Sequence, residues 1–287
     1  MHLTPTPELA AEVDALATRY GGRVGLDAVA GDLDRRLRRT VAPCRTPHRA
    51  WTWDRADRRD RRWWPQGVSV EGRHAVVSWY SDTGSRVSLL DLPARRYQHV
   101  ELVRPTADGH EPLRVHAGGL GWHGHRLFVA ATRAGVWVCD TRDVVRGPDG
   151  YVLPVRLLLE PSEPFRFSFV AHVGEELVVG EYDNAGGTRR LGRVAAEGGP
   201  VDVLDGGVRR AQGAVRVGER WYVTASHGPR RPGSVWSGPA GRLREHRWAV
   251  PMGPEDLAYD AERDLLWTVT EHPRRRWVVA VRRSRLG

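Results

Sequence analysis

Five times the sequence sets a short apolar stretch behind a tight turn, and no other feature narrows the possible folds as far. Anchored on the turn, the copies are Gly72 before Arg73-His74-Ala75-Val76-Val77-Ser78-Trp79-Tyr80, Gly124 before His125-Arg126-Leu127-Phe128-Val129-Ala130-Ala131-Thr132, and Gly174 before Glu175-Glu176-Leu177-Val178-Val179-Gly180-Glu181-Tyr182. Gly218 precedes Glu219-Arg220-Trp221-Tyr222-Val223-Thr224-Ala225-Ser226, and Glu262 stands in the glycine position before Arg263-Asp264-Leu265-Leu266-Trp267-Thr268-Val269-Thr270. The intervals are 52, 50, 44 and 44 residues. Self-similarity at such a period indicates stacked supersecondary units.

Three columns of the alignment carry physical meaning. Three to five places after the turn the residues are apolar, as a strand buried on both faces requires. Six places after it stand Ser78, Ala130, Gly180, Thr224 and Thr268, all small, which suits sheets that converge on an axis. Nine places after it stand Ser81, Arg133, Asp183, His227 and Glu271, all polar. Further strands follow in most copies, separated by turn residues. The last copy ends after its third strand, and residues 49–53, with alternating Trp51 and Trp53, are expected to supply the fourth and close the ring, removing free sheet edges. The expectation is an all-β chain: a five-bladed β-propeller of four-stranded antiparallel blades over residues 46–287, at roughly 48 residues per blade.

Residues 1–45 read as an N-terminal helical segment. Thr6 and Pro7 open a helix carrying Leu9, Val13, Leu16 and Tyr20 on one face until Gly21-Gly22 stops it. A second helix is expected from Leu26, Val29, Leu33, Leu37 and Val41, with Arg35, Arg36, Arg38 and Arg39 suiting its C-terminal dipole. The pair must lay its apolar stripe on the β domain, as an appendage or a lid, or on a second copy, which would give a homodimer. Between Asp54 and Arg62, Asp54, Asp57 and Asp60 recur every three residues; a metal or diphosphate site and a solvated mixed-charge loop are both open readings.

The formal charge is +9, and all 44 basic residues are Arg, with no Lys and no Ile in the chain. That pairing points to codon bias in a GC-rich, bacterial genome, and the Arg residues are spread from Arg19 to Arg285, so no nucleic-acid partner is expected. Cys44 and Cys139 are too few for a disulfide framework and lack zinc-site spacing. With no leader-like start and no apolar stretch of about 18 residues, a cytoplasmic protein without a membrane partner is expected. No Gly-rich phosphate loop and no Gly-x-Ser-x-Gly elbow is present.

In a blade, the start of the first strand and the end of the second share one face. The first ring there is Gln66, Gly118, Ser168, Gln212 and Asp256, with His116 and Glu255 just outside it. The second is Ser81 with Asp82, Arg133, Asp183, His227, and Glu271 with His272; Glu181 lies near it. A polar residue followed by Gly, as in Gln66-Gly67 and Gln212-Gly213, is unusual at the head of a buried strand. Such amides either satisfy loop backbone groups or meet a ligand at a concave mouth. Glu255, Asp256, Glu271, Asp183, His227 and His116 are the candidate acid–base residues. Gln66, Gln212, Arg133, Trp64, Tyr80, Asp82, Glu181 and His272 are candidate substrate contacts, Arg133 by bidentate bonding to an anion and Trp64 as an apolar wall. A divalent metal held by imidazoles and a carboxylate is an alternative at the same mouth.

In its repeat and blade count the chain resembles five-bladed β-propellers, the class that includes arabinanase-type glycosidases and tachylectin-like sugar binders; six-bladed lactonase-like and strictosidine-synthase-like propellers are a second comparison. The resemblance is architectural, covers about 240 residues, and places no catalytic motif. It implies a small-molecule or sugar site on one face. The functional expectation is an enzyme acting on a small organic substrate by non-redox acid–base or metal-assisted chemistry, of hydrolase, lyase or cyclase type. The alternatives are a non-catalytic sugar- or peptide-binding module and a protein-interaction scaffold.

Overall fold

The computed structural model describes residues 1–45, 47–183, 186–205 and 207–287. Apolar triplets behind each turn, such as Ala75–Val77, Leu127–Val129 and Trp221–Val223, are buried in every copy, so each second strand is covered on both faces. The result is an all-β, propeller-like fold of antiparallel meanders. The run Trp64–Glu71, His74–Ser81, Gly84–Asp91, Arg96–Thr106 and the run Leu120–His123, Arg126–Ala131, Gly135–Asp140, Gly150–Pro161 belong to one 13-stranded sheet. They are joined because the long strand Gly150–Pro161 pairs antiparallel with Gly135–Asp140 over one part and parallel with Arg96–Thr106 over another, from Tyr151↔Val100 to Pro154↔Val103. Sheets of four, four and five strands follow.

The first strands of these meanders stand side by side. Trp64–Glu71 contacts Leu120–His123, which contacts Phe169–Val173; that strand contacts Ala211–Val217, which contacts Pro254–Asp260, and this returns to Trp64–Glu71. Side chains between sheets form the core: Val68, Val77 and Trp79 pack with Ala258, Trp267 and Val278 across the junction of the two chain ends. That junction is closed as the sequence suggests, by Pro47–Thr52 pairing antiparallel with Val278–Arg282, in register Val278↔Trp51 and Ala280↔Arg49.

Turns follow the alignment except in the last copy. Gly72, Gly124, Gly174 and Gly218 have φ between +55° and +63°, the left-handed region that glycine enters without a Cβ clash. In the last copy the left-handed residue is Asp264, at φ +52°, not Glu262. The connection there is longer, running from Asp260 to its partner Leu265, and Asp tolerates the left-handed region by bonding locally.

The N-terminal segment departs from the helical expectation. Helix Ala10–Arg19 forms and buries Val13, Leu16 and Ala17, Leu16 and Ala17 against Val103, Val145 and Val152 of the outer strands. The second helix stops at Gly31, and Arg35–Arg36 and Arg38–Thr40 are strands paired with Arg96–Thr106 and Pro47–Thr52. Edge pairing and burial of Leu37 against Trp51, Trp53 and Tyr97 outweigh the local helical spacing, since propensity is a weak prior. His2–Pro5 also pairs with Gly150–Pro161 and Gly199–Pro200, so residues before 46 contribute strands as well as helices. The expected boundary at residue 46 falls outside the described residues. No helix among those described is long and apolar enough to cross a membrane.

Asp54, Asp57 and Asp60 do not form one site. Asp54 caps the helix Arg55–Arg59 by accepting the Asp57 N–H at 2.9 Å, and Asp60 accepts the Trp63 N–H at 2.9 Å. Asp57 points inward to Arg86 and His99, each at 3.0 Å, and accepts the Tyr97 hydroxyl. Arg86 in turn lies over Trp63 at 4.4 Å and Trp79 at 4.9 Å.

Candidate functional site

The polar residues at the strand heads sit on β-bulges, which explains their pattern. Pairing slips between Pro65 and Val68, between Ala211 and Gly213, and between Glu255 and Ala258, so that Gln66, Gln212 and Asp256 are displaced from the regular ladder, as bulges re-aim side chains. The small column faces these bulges and has a second task beyond wedge packing. The Thr268 hydroxyl donates to the Glu255 and Asp256 carbonyls at 2.8 and 3.0 Å, and Ser78 accepts the Gly67 N–H at 2.7 Å. Gly67 and Gly213 permit the close approach of neighbouring strands: a Cβ would lie 2.6 Å from the Gly119 carbonyl carbon and 2.2 Å from that of Asp256.

Asp256 has φ +48°, a conformation that costs a non-glycine residue roughly 1–2 kcal/mol. It turns the carboxylate across the ring, where Oδ2 accepts the Val68 and Leu120 N–H groups, both at 2.9 Å. Oδ1 has no hydrogen-bond partner among the described residues. Burial drives the Asp256 pKa well above the usual carboxylate range, against the backbone N–H groups of Leu120, Val68 and Leu257, which lower it.

Glu255 and Glu271 stand beside it. Gln212 donates to Glu255 Oε1 at 2.8 Å, and Gln66 donates to Glu271 Oε2 at 3.4 Å. Burial raises the Glu255 pKa well above its ordinary value, and the neighbouring charges of Glu271 and Asp256 raise it further. Burial also raises Glu271, partly offset by Gln66 and by the Arg276 cation. Tyr80 is raised by burial and then by Glu271, Glu255 and Asp82, and its ring lies 4.2 Å from that of His116. Burial lowers His116, with Arg166 adding to the effect. His272 Nδ1 lies 3.5 Å from Glu271 and its ring meets Trp64 edge-on at 6.5 Å.

The structure thus gathers Glu255, Asp256, Glu271, Gln66, Gln212, Tyr80, His116, His272 and Trp64, with Asp82 exposed at their edge. Four expected members are occupied or placed otherwise. Glu181 is clamped by Arg190, whose Nε and second guanidinium nitrogen donate at 3.0 and 2.8 Å. Asp183 accepts the Gly186 and Gly187 N–H groups and Arg189 Nε, holding its own loop. His227 bonds Ser234 at 2.8 Å and lines a different cavity, of about 540 Å³, with Arg210 and Trp236. Arg133 is exposed. Alignment of the repeats matches backbone positions, and a ring of equivalent positions does not specify which side chains turn toward the axis. Among the described residues no three His, Cys, Asp or Glu side chains are arranged to hold a metal ion.

Arg276 was not a sequence candidate. It is fully buried, donates to the carbonyls of Glu271 at 2.8 Å and Trp63 at 2.7 Å and to that of Asp57, and is lowered by burial to about 10. It fixes the backbone that carries Glu271. Within Arg274-Arg275-Arg276, nothing in the sequence singles it out.

No protein-family model matches the chain, and no curated protein matches it. Among solved structures, the Myxococcus xanthus glutaminyl cyclase aligns at 14% identity over 86% of this chain and 97% of its own, with a TM-score of 0.46. A luciferin-regenerating enzyme aligns at 13% identity over 72% and 69%, with a TM-score of 0.43. A Xanthomonas citri GH43_1 enzyme aligns at 9% identity over 79% and 90%, with a TM-score of 0.41. Likenesses this loose carry no functional weight, and the architecture rests on the strand pairings themselves.

Proposed function

We propose that residues 46–287 form a five-bladed propeller of four-stranded blades, with residues 1–45 packed on its outside, and that it is an enzyme acting on a small organic substrate at the mouth formed by the strand heads. The chemistry is acid–base and non-redox: hydrolysis, elimination or cyclisation. One observation carries this reading. Two neighbouring carboxyl groups, Glu255 and Glu271, are each held by a glutamine amide, have no direct Arg side-chain partner among the described residues, and are both displaced upward in pKa. A structural carboxylate as deeply buried as Glu255 is ordinarily paired, whereas acid–base catalysis uses carboxyl groups whose pKa is raised from the ordinary value.

In this reading Glu255, the more deeply buried, enters the reaction protonated and donates its proton to the leaving or carbonyl oxygen of the substrate. Glu271, less buried and steadied by the Arg276 charge, accepts a proton from the nucleophile or from water. Gln66 and Gln212 orient the two carboxyl groups, Tyr80 and His116 line the mouth, and Trp64 supplies an apolar wall. Asp256 fixes the strand heads from below. The strand-head positions differ from blade to blade, which favours one asymmetric site over a lectin-like set of equivalent sugar sites.

The test is turnover of a panel of lactones, aryl glycosides and N-terminal glutaminyl peptides by the wild type and by the Glu255→Gln and Glu271→Gln variants. A general acid or base contributes about 10²–10⁴-fold, so either substitution is expected to cut turnover by that order while leaving the circular dichroism spectrum unchanged. Full activity in both variants refutes the assignment.

A further inference from the structure

At the far end of the same strands, where the first and last sheets meet, the turn side of the molecule holds a cavity of about 520 Å³. Its rim carries Arg39, Arg49, Arg73, Arg95 and Arg263, all exposed. Arg73 is bonded to Asp91 at 2.6 Å and Arg263 to Asp260 at 3.1 Å. Arg39, Arg49 and Arg95 have no hydrogen-bonded or ion-paired side-chain partner among the described residues. The wall between them is apolar: Leu92, Leu265, and the stacked pair Trp51 and Trp267, whose ring centroids lie 5.6 Å apart.

Three further observations bear on this place. Trp267 is 3% exposed, and its indole nitrogen, like those of Trp53 and Trp236, is buried without a hydrogen-bond partner among the described residues. Arg95 keeps a left-handed backbone, φ +58°, with its carbonyl accepting the Leu37 N–H at 2.9 Å; a long side chain is held at the rim in a conformation that favours glycine. Positive charge extends beyond the two paired arginines: His48 is lowered first by burial and then by Arg282, Arg49, Arg285 and Arg39.

We propose that this cavity binds a small amphiphilic anion, an aromatic or aliphatic body bearing one carboxylate, sulfonate or phosphate group. The anionic group lies between Arg39, Arg49 and Arg95, which offer planar donor forks to oxyanions. The body covers Trp51, Leu92, Leu265 and Trp267. The volume suits a ligand of a few hundred cubic ångströms. The site lies apart from the Glu255 mouth, and its existence does not depend on the acid–base reading.

The probe is anilinonaphthalene sulfonate, an aromatic anion, titrated by fluorescence into the native full-length protein beside the uncharged N-phenylnaphthylamine. Saturable binding with one dye per chain is expected, with no saturable binding of the neutral dye. The Arg39→Glu/Arg49→Glu double variant, altered only at exposed positions, is expected to bind at least about tenfold more weakly. One indole resonance in the nitrogen-labelled spectrum, assigned by its loss in Trp267→Phe, is expected to shift on titration. Unchanged affinity in the double variant, equal binding of the neutral dye, or a static Trp267 resonance overturns the proposal. So does displacement of the dye by single-stranded oligothymidylate far below the concentration at which naphthoate displaces it, which would assign the patch to nucleic acid instead.

Discussion

Glu181 and Glu255 are both withdrawn from water, at 3% and 4% exposure, yet their carboxyl groups are driven in opposite directions. Glu181 has Arg190 across it and the Arg166 and Arg190 N–H groups along it, and these outweigh the burial that would raise it, leaving it near 2. Glu255 has one neutral amide, and its charged neighbours, Glu271 and Asp256, share its sign. Burial is common to the two; the partner decides the sign. Asp57 belongs with Glu181: burial raises it, but His99, Arg86 and Tyr97 hold it well below the ordinary range. The paired carboxylates knit structure; in the proposed reading, Glu255 and Glu271, which no Arg side chain clamps among the described residues, are the groups kept for chemistry.

The largest expected effect tests the paired class. Asp57→Asn leaves Arg86 and Arg35 facing a neutral side chain in a largely buried network, and breaking such a pair costs about 3–5 kcal/mol. Urea denaturation should show that loss. A change under about 1 kcal/mol would mean that the cations relax to solvent and that pairing does not explain the class.

The second prediction concerns the unpaired class, and stability and activity should separate there. The folded pKa of Glu255 lies above its unfolded value near 4.5, so the folded state holds the extra proton. Its contribution to stability is present below about pH 4.5 and is lost as pH rises toward the folded pKa. In that window the wild type loses about 1.4 kcal/mol per pH unit relative to Glu255→Gln, which has no proton to release. Thermal melts from pH 4 to pH 9 should therefore show the variant overtaking the wild type as pH rises, while its turnover collapses. Parallel curves would remove the case for a buried, proton-holding carboxyl group.

How much of this contrast the sequence carried depends on the kind of information each part needs. The turn glycines, the apolar triplets and the closing strand at Trp51 are local patterns with a fixed period, and they were legible. The bulges at Gln66 and Gln212 left a trace, the polar residue before Gly67 and Gly213, because close strand approach demands a missing Cβ; Asp256, followed by Leu257, left no such trace. What separates Glu255 from Glu181 is not local. Arg190 lies just ahead of the strand Leu191–Ala195 in one case, and in the other no Arg among the described residues is hydrogen-bonded to the carboxyl group. With Arg distributed along the whole chain, composition could not say which carboxylates would be paired. Arg35 to Thr40 misled for a related reason: spacing fitted a helix, but the unpaired edges of Arg96–Thr106 and Pro47–Thr52 offered hydrogen bonds that no local pattern records.

A third, smaller effect is expected at Glu181. Its folded pKa is depressed, so its stabilisation is present above about 4.5 and disappears as pH falls toward 2. Glu181→Gln should lower neutral-pH stability by about 1–2 kcal/mol, since Arg190 remains partly in contact with water, and should flatten the acid limb of the stability profile. Turnover is expected to stay near wild type, which is the outcome that distinguishes it from Glu255.

The smallest effect is expected at His227, and it sharpens the boundary between the classes. Equivalent by position to Glu271, it bonds Ser234 at 2.8 Å, with Glu245 beyond at 3.6 Å, and faces a separate cavity. Position in the ring therefore predicts a catalytic loss at His227, whereas side-chain partnership predicts none. His227→Ala removes one half-exposed hydrogen bond, for a stability loss of about 0.5–1 kcal/mol. Turnover at the Glu255 mouth should change by less than about twofold, since a residue outside the reacting groups contributes little to the barrier. A hundredfold fall with unaltered melting would show that ring position, and not pairing, selects the working residues.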